Sequence, residues 1–223
     1  MGALVLFITF LTTLSSVGLA QDTVDIGVLK DSEIRVVQDL LYPKDGTSEL
    51  GIHVGAMPFD AFTFTPKAEF SYGQHLNESL GWEVAVGAGY SLKNRAYKVL
   101  ESASYGITPD AYRYLSSVIA DVQYAPIYAK MNAFNTILHH DVYFLGGGGL
   151  TIEQSFMPDK DMSFSPTFAL GFGARVFLPS GSCIRVQLRD DIMIQSRAKT
   201  EETQGSFLKQ NTLLSVGYTL LRR

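Results

Sequence analysis

Residues 80–91 read Leu80-Gly81-Trp82-Glu83-Val84-Ala85-Val86-Gly87-Ala88-Gly89-Tyr90-Ser91. Successive side chains of a β-strand point to opposite faces. Sorted that way, Leu80, Trp82, Val84, Val86, Ala88 and Tyr90 share one face. Gly81, Glu83, Ala85, Gly87, Gly89 and Ser91 share the other. One face is therefore apolar and the other small or polar. The run is also about twice the usual soluble strand of roughly five or six residues.

The same sorting works outward along the chain. Residues 62–73 place Phe62, Phe64, Pro66, Ala68, Phe70 and Tyr72 opposite Thr63, Thr65, Lys67, Glu69, Ser71 and Gly73. Residues 164–178 set Phe164, Phe168, Leu170, Phe172 and Val176 against Ser165, Thr167 and Arg175. In 184–194, Ile184, Val186, Leu188, Ile192 and Ile194 alternate with Arg185, Gln187, Arg189 and Asp191. Weaker strands cover 49–57, 118–129, 141–152 and 208–221, which makes about eight. A tilted strand needs roughly nine to eleven residues to cross a bilayer. Length and alternation together predict an all-β, up-and-down antiparallel transmembrane barrel.

In such barrels both termini lie in the periplasm, with short turns there and longer loops outside. The expected outer loops are 58–61, 93–117, 153–163 and 196–207, and the inner turns are 74–79, 130–140 and 179–182. Trp82, Tyr72, Tyr90, Tyr124, Tyr128, Tyr143 and Tyr218 are expected in interfacial girdles, where amphipathic rings settle.

A polar face without lipid contact must point inward, and an eight-stranded barrel has room there for side chains but little for water. The expected lumen set is Lys67, Glu69, Glu83, Asp121, Asp141, Arg175, Arg185, Arg189 and Asp191. Both signs are present, so these charges can pair across the interior, as burial requires. A charged conduit for a small solute is the functional alternative, though open channels come with many more strands. Asp190 falls on the apolar face; either a β-bulge in Arg189-Asp190-Asp191 turns it inward or it sits at the rim.

Residues 1–20 (MGALVLFITFLTTLSSVGLA) carry no charged side chain and end in small residues before Gln21, which predicts a signal peptide. Residues 21–48 would then form a periplasmic segment and 49–223 the barrel. That segment mixes Ile34, Val36, Val37, Leu40 and Leu41 with charges, suiting a docking element or a plug for the periplasmic mouth.

Composition excludes other classes. The formal net charge of −4 gives no nucleic-acid footprint. The single Cys183 rules out an intramolecular disulfide framework and a cysteine-rich metal site. His139-His140-Asp141 is the one cluster that invites a hydrolytic reading. No Ser at suitable spacing accompanies it, no G-x-S-x-G occurs, and adjacent histidines on a strand point apart. Gly146-Gly147-Gly148-Gly149 lacks the Lys-Ser/Thr of a phosphate loop, and its glycines suit bending or close backbone approach. Asn77-Glu78-Ser79 matches a glycosylation sequon but suits a turn. No catalytic residue, metal ligand or cofactor is expected. The expected partners are outer-membrane lipid and proteins of the cell envelope.

Val36-Val37-Gln38, Tyr42-Pro43-Lys44, Glu49-Leu50 and Phe59-Asp60 occur in that order. Leu76-x-x-Ser79-Leu80-Gly81-x-Glu83 and Arg185-x-Gln187-x-Arg189-Asp190 follow. Together they resemble the outer membrane β-barrel domain family common in myxobacteria and related delta-proteobacteria. The resemblance runs from about Ile34 to the C-terminus. It implies a Gram-negative outer-membrane barrel serving as an anchor in an envelope-spanning assembly, gliding-motility machinery included, and not a catalyst. The competing expectations are a narrow, porin-like pore or transporter and a lipid-modifying enzyme.

Overall fold

The computed structural model describes residues 41–102, 106, 108–133, 136–156, 162–200 and 203–222. The signal-peptide expectation for 1–20, and the 21–48 segment up to residue 40, lie outside them.

The strands in chain order are β1 (Ser48–Met57), β2 (Thr63–His75), β3 (Leu80–Gly89), the two-residue β4 (Leu92–Lys93), β5 (Tyr112–Ala133), β6 (Thr136–Ser155), β7 (Met162–Phe177), β8 (Ser182–Thr200) and β9 (Thr203–Arg222). One short helix, α1 (Arg95–Glu101), follows β4. Every pairing is antiparallel, and β1 bonds both β2 and β9. The sheet thus closes into a ring of eight strands, with β4 added to the end of β2. Closure removes the unpaired edges that an open sheet would expose.

The alternation sorts the two faces as the sequence does. In β2 every second residue from Thr63 to His75 is buried and the ones between are exposed. Ile52, Phe164, Phe168, Leu170 and Val122 lie on the outside, each more than half exposed. This apolar surface runs round the wall, far beyond the few-hundred-Å² patch that a soluble monomer tolerates. Polar side chains fill the interior. A sheet with its polar side in and its apolar side out is the wall of a transmembrane β-barrel.

Turn chemistry is local. Asn77 Oδ1 accepts from the backbone N–H of Ser79 at 2.9 Å and Leu80 at 2.7 Å, closing the β2–β3 turn. The β7–β8 turn needs a left-handed residue, supplied by Gly181 at φ 76°. Within β6, a Cβ on Gly147 or Gly149 would run into the β5 backbone at Ala120 and Val118. Those glycines serve close approach between strands.

Several boundaries differ from the sequence reading. The expected inner turn 130–140 is mostly strand, with only 134–135 between β5 and β6. The expected outer loop 196–207 is likewise the end of a long β8–β9 hairpin. The 93–117 loop holds part of β4, all of α1 and the start of β5. In 130–140 the apolar Met131 and Ile137 stand exposed on the outer side, but the register shift between Tyr124 and Ile127 breaks the single period-two run that the sequence pattern follows.

Asp190 involves no bulge. It holds regular register with Leu170 on one side and Thr212 on the other. It stays on the outer wall, half-buried, accepting from Thr212 Oγ1 at 3.4 Å. The last β9 residue paired with β1 is Leu214, so Asp190 and Thr212 lie at the level where β1 has ended.

Candidate functional site

The interior is a stack of ion pairs held by residues of alternate parity on facing strands. Near the start of β1 and the end of β9, Glu49 of β1, Glu83 of β3, Asp141 of β6, Arg175 of β7 and Arg185 of β8 converge. Arg185 bridges two acids, reaching Glu49 Oε1 at 3.1 Å and making a close pair with Glu83. Arg175 lies 3.6 Å from Asp141 Oδ2 and 3.7 Å from Glu49 Oε2, and donates to Gln123 Oε1. His75 Nε2 contacts Glu49 Oε2 at 2.9 Å. Further along the axis, Lys67 and Arg189 meet Glu69 at 2.8 and 2.6 Å. Arg189 also holds Asp191 at 2.7 Å, and Lys67 lies 3.6 Å from it.

All nine expected lumen residues are buried in the interior. Eight of them join these ion pairs. The ninth, Asp121, faces Glu83 across the β3–β5 ladder, and neither of its carboxylate oxygens has a hydrogen-bond partner.

Tyr143 corrects one expectation. It is fully buried in the lumen, not in a girdle. Two guanidiniums approach its ring, Arg175 Cζ at 4.5 Å and Arg185 Cζ at 5.1 Å from the centroid. Its hydroxyl donates to Gln187 Oε1 at 2.8 Å and accepts from Arg185 Nη2 at 3.2 Å. The cause is parity: Tyr143 shares the face of Asp141, two residues earlier. Tyr128 is a second correction. A register shift between Tyr124 and Ile127 reverses the alternation, so Tyr128 turns inward opposite Asp141. Its hydroxyl lies 2.8 Å from His139 Nδ1. Tyr72, Tyr90, Tyr124 and Tyr218 do stand on the outer wall, and the half-buried Trp82 packs edge-on against Tyr72 at 5.9 Å.

Other members of the network escaped the sequence reading. Glu49 and His53 share the inward parity of β1 and could have been found from it. Glu153 lies one residue beyond the expected strand end; it binds Gln195 and accepts from Lys209 at 3.3 Å. Lys209 also bridges to Asp60 at 3.1 Å, at the end away from the start of β1. Lys44 precedes β1 altogether, and no periodicity marks it. It is buried, with its Nζ 2.6 Å from Asp141 Oδ2. Its backbone N–H is held by the Glu78 carboxylate at 3.0 Å. Tyr42 stacks on Phe177 with centroids 5.5 Å apart. Lys44 and Tyr42 thus pack into the mouth of the barrel at the start of β1.

Apart from Asp121, the expected lumen charges fall into two clusters of opposite sign. The cluster near the start of β1 pairs Lys44, Arg175 and Arg185 with Glu49, Glu83 and Asp141; the next pairs Lys67 and Arg189 with Glu69 and Asp191. A cavity of about 330 Å³ lies off the axis at the rim, lined by Phe59, Asp60, Phe62, Tyr112, Phe207 and Lys209 among others. Among the described residues, no group of three or more His, Cys, Asp or Glu side chains is arranged to hold a metal ion.

What these features define is an eight-stranded transmembrane β-barrel with a charged, side-chain-filled lumen. No protein-family model and no curated protein matches the chain. Solved structures do. Neisserial surface protein A shares 13% identity over 78% of this chain and 94% of its own, with a TM-score of 0.42. A major outer membrane protein from Thermus thermophilus shares 14% identity over 78% and 99%, at 0.40. The attachment invasion locus protein Ail of Yersinia pestis shares 13% over 79% and 99%, at 0.38. At these scores the likenesses add nothing to the barrel geometry described above.

Proposed function

We propose that this chain is a bacterial outer-membrane barrel with a plugged lumen, serving as a structural anchor or interaction subunit of a cell-envelope assembly and not as a catalyst. The observation that carries the reading is the ion-pair stack across the interior. Arg175, Arg185 and Arg189 are buried among carboxylates from facing strands, where a conduit would need open, hydrated space. The apolar outer wall supports residence in a membrane. The barrel form, which for bacteria is an outer-membrane architecture, supports the compartment.

The assembly itself is the finer part of the reading. Its assignment to gliding-motility machinery is supported by the sequence resemblance alone, and a deletion strain that glides at the parental rate would remove it. The protein as a whole is tested by reconstitution in planar bilayers together with cross-linking in cells. An anchor gives no steady conductance and captures a reproducible set of envelope proteins. Stable, ion-selective conductance from the wild-type chain would overturn the plug. Altered lipid A masses in the deletion strain would overturn the non-catalytic part.

A narrow conduit is the second reading, and Asp121 favours it. A buried carboxylate without a hydrogen bond is costly, and such a group can serve as a stepping point for a proton or small cation. Conductance that falls in Asp121→Asn would decide for it.

A further inference from the structure

At the end of the barrel away from the start of β1, three rings and two cations gather outside the lumen. Arg113 follows Tyr112 at the start of β5, opposite Gln154 of β6. Its guanidinium carbon lies 4.3 Å from the ring centroid of Tyr90 and 4.9 Å from that of Phe156. Lys93 of β4 approaches the same Phe156 ring at 5.5 Å and Tyr97 of α1 at 4.3 Å. Two cations therefore share one aromatic ring. Lys93 has a counter-charge, Glu101, at 2.8 Å, in a pair that is partly exposed. Arg113 has no carboxylate partner among the described residues, and its Nε is buried without a hydrogen bond. Arg95 and Lys98 of α1 add two exposed cations.

This excess of positive charge is continuous with the apolar wall. Tyr90, Leu92 and Phe64 stand 51%, 49% and 43% exposed beside it. Leu92 pairs with Phe64 across β2 and β4. A guanidinium held close to two rings still carries its N–H groups in a planar fork, the geometry that phosphate oxygens accept. A free anion has no use for the neighbouring apolar surface; an amphiphile uses both.

We propose that Lys93 and Arg113, with Arg95 and Lys98 beside them, bind the phosphate of a lipid headgroup in the leaflet around this end of the barrel, the lipid's chains lying over Phe64, Tyr90 and Leu92. The inference rests on the membrane-embedded reading of the barrel. It gives the rim a lipid-recognition role separate from whatever protein the loops meet. Arg113 is the anchor, and the cations on α1 supply long-range attraction, which salt weakens.

The test uses the full chain folded in phosphatidylcholine nanodiscs, with phosphatidic acid as the phosphomonoester probe and native mass spectrometry as the readout. Wild type retains phosphatidic acid through partial delipidation. Arg113→Gln combined with Lys93→Gln lowers that retention by about tenfold or more, the effect of losing one charge-assisted hydrogen bond. Arg113→Lys, which keeps the charge but not the fork, falls between them. Arg222→Gln, at the other end of the barrel, behaves as wild type. Equal retention by wild type and the double variant would overturn the site. Displacement of the lipid by inorganic phosphate would overturn its assignment to a lipid. A chain that folds in no bilayer, seen as a gel band that boiling does not shift, would overturn the membrane reading beneath it.

Discussion

Ile184, Val186 and Leu188 of β8 are neighbours of Arg185, Gln187 and Arg189 in the chain, yet the two sets occupy opposite environments. The first set lies on the outer wall and the second within the ion-pair stack. The backbone is common to both, so the difference lies in what surrounds each face. Outside, an apolar side chain meets an apolar medium and needs no partner. Inside, each charge has lost water and is tolerated only because an opposite charge and further hydrogen bonds replace it. The outer face is therefore forgiving of apolar exchange, and the inner face is demanding at every position.

The inner face breaks most severely. Arg185→Ala leaves Glu49 and Glu83 buried without their shared cation, and a loss of about 3–5 kcal/mol is expected. Urea titration of the folded, fast-migrating band would measure it. Replacing Arg185 and Glu83 together by methionine should recover part of the loss, because Glu83 is no longer left buried without a cation while Glu49 keeps Arg175. Equal losses in the single and double variants would show that the bridge does not act as a pair.

The outer face breaks next. Val86→Arg places a charge on the wall opposite Phe70 and should cost about 2–4 kcal/mol, the figure for the bilayer midplane. Val86→Leu should change nothing measurable. A harmless arginine there would mean that the wall faces water.

Tyr143→Phe sharpens the comparison more gently. It removes only a hydroxyl, but one that Arg185 and Gln187 both use, so about 1–3 kcal/mol is expected. The same change at Tyr218, exposed on the outer wall, should be close to neutral.

The two tyrosines misplaced in the girdles, Tyr143 and Tyr128, also show how far the sequence could be read. Period two was legible wherever an apolar side chain marked every second position, as in β2 and β3, and the charged residues it assigns to the inner face are buried. Tyr143 was misassigned by residue type against its own parity. Tyr128 needed the irregularity between Tyr124 and Ile127, which shifts register without a residue that announces it. Lys44 lay beyond reach for another reason. Its contact with Asp141 spans almost a hundred residues and arises only when the barrel closes.

The smallest expected effect is pH dependence at the rim. Burial pushes the Asp60 carboxyl up, but Lys209 and the N–H groups of Phe62 and Thr63 outweigh it and hold it below its ordinary value. A depressed folded value stabilises the protein above the unfolded carboxylate range of about 3.9. That contribution disappears as the pH falls through the folded value. Acid unfolding curves below about pH 4 should therefore differ between wild type and Asp60→Asn, while those near neutrality keep the same shape.

The most direct measurement is heat-modifiability on SDS gels of detergent-extracted outer-membrane fractions. A closed barrel with an apolar wall and an ion-paired interior predicts a fast-migrating unheated band that shifts on boiling. A protein recovered from the soluble periplasm without detergent, with one band before and after heating, would contradict it.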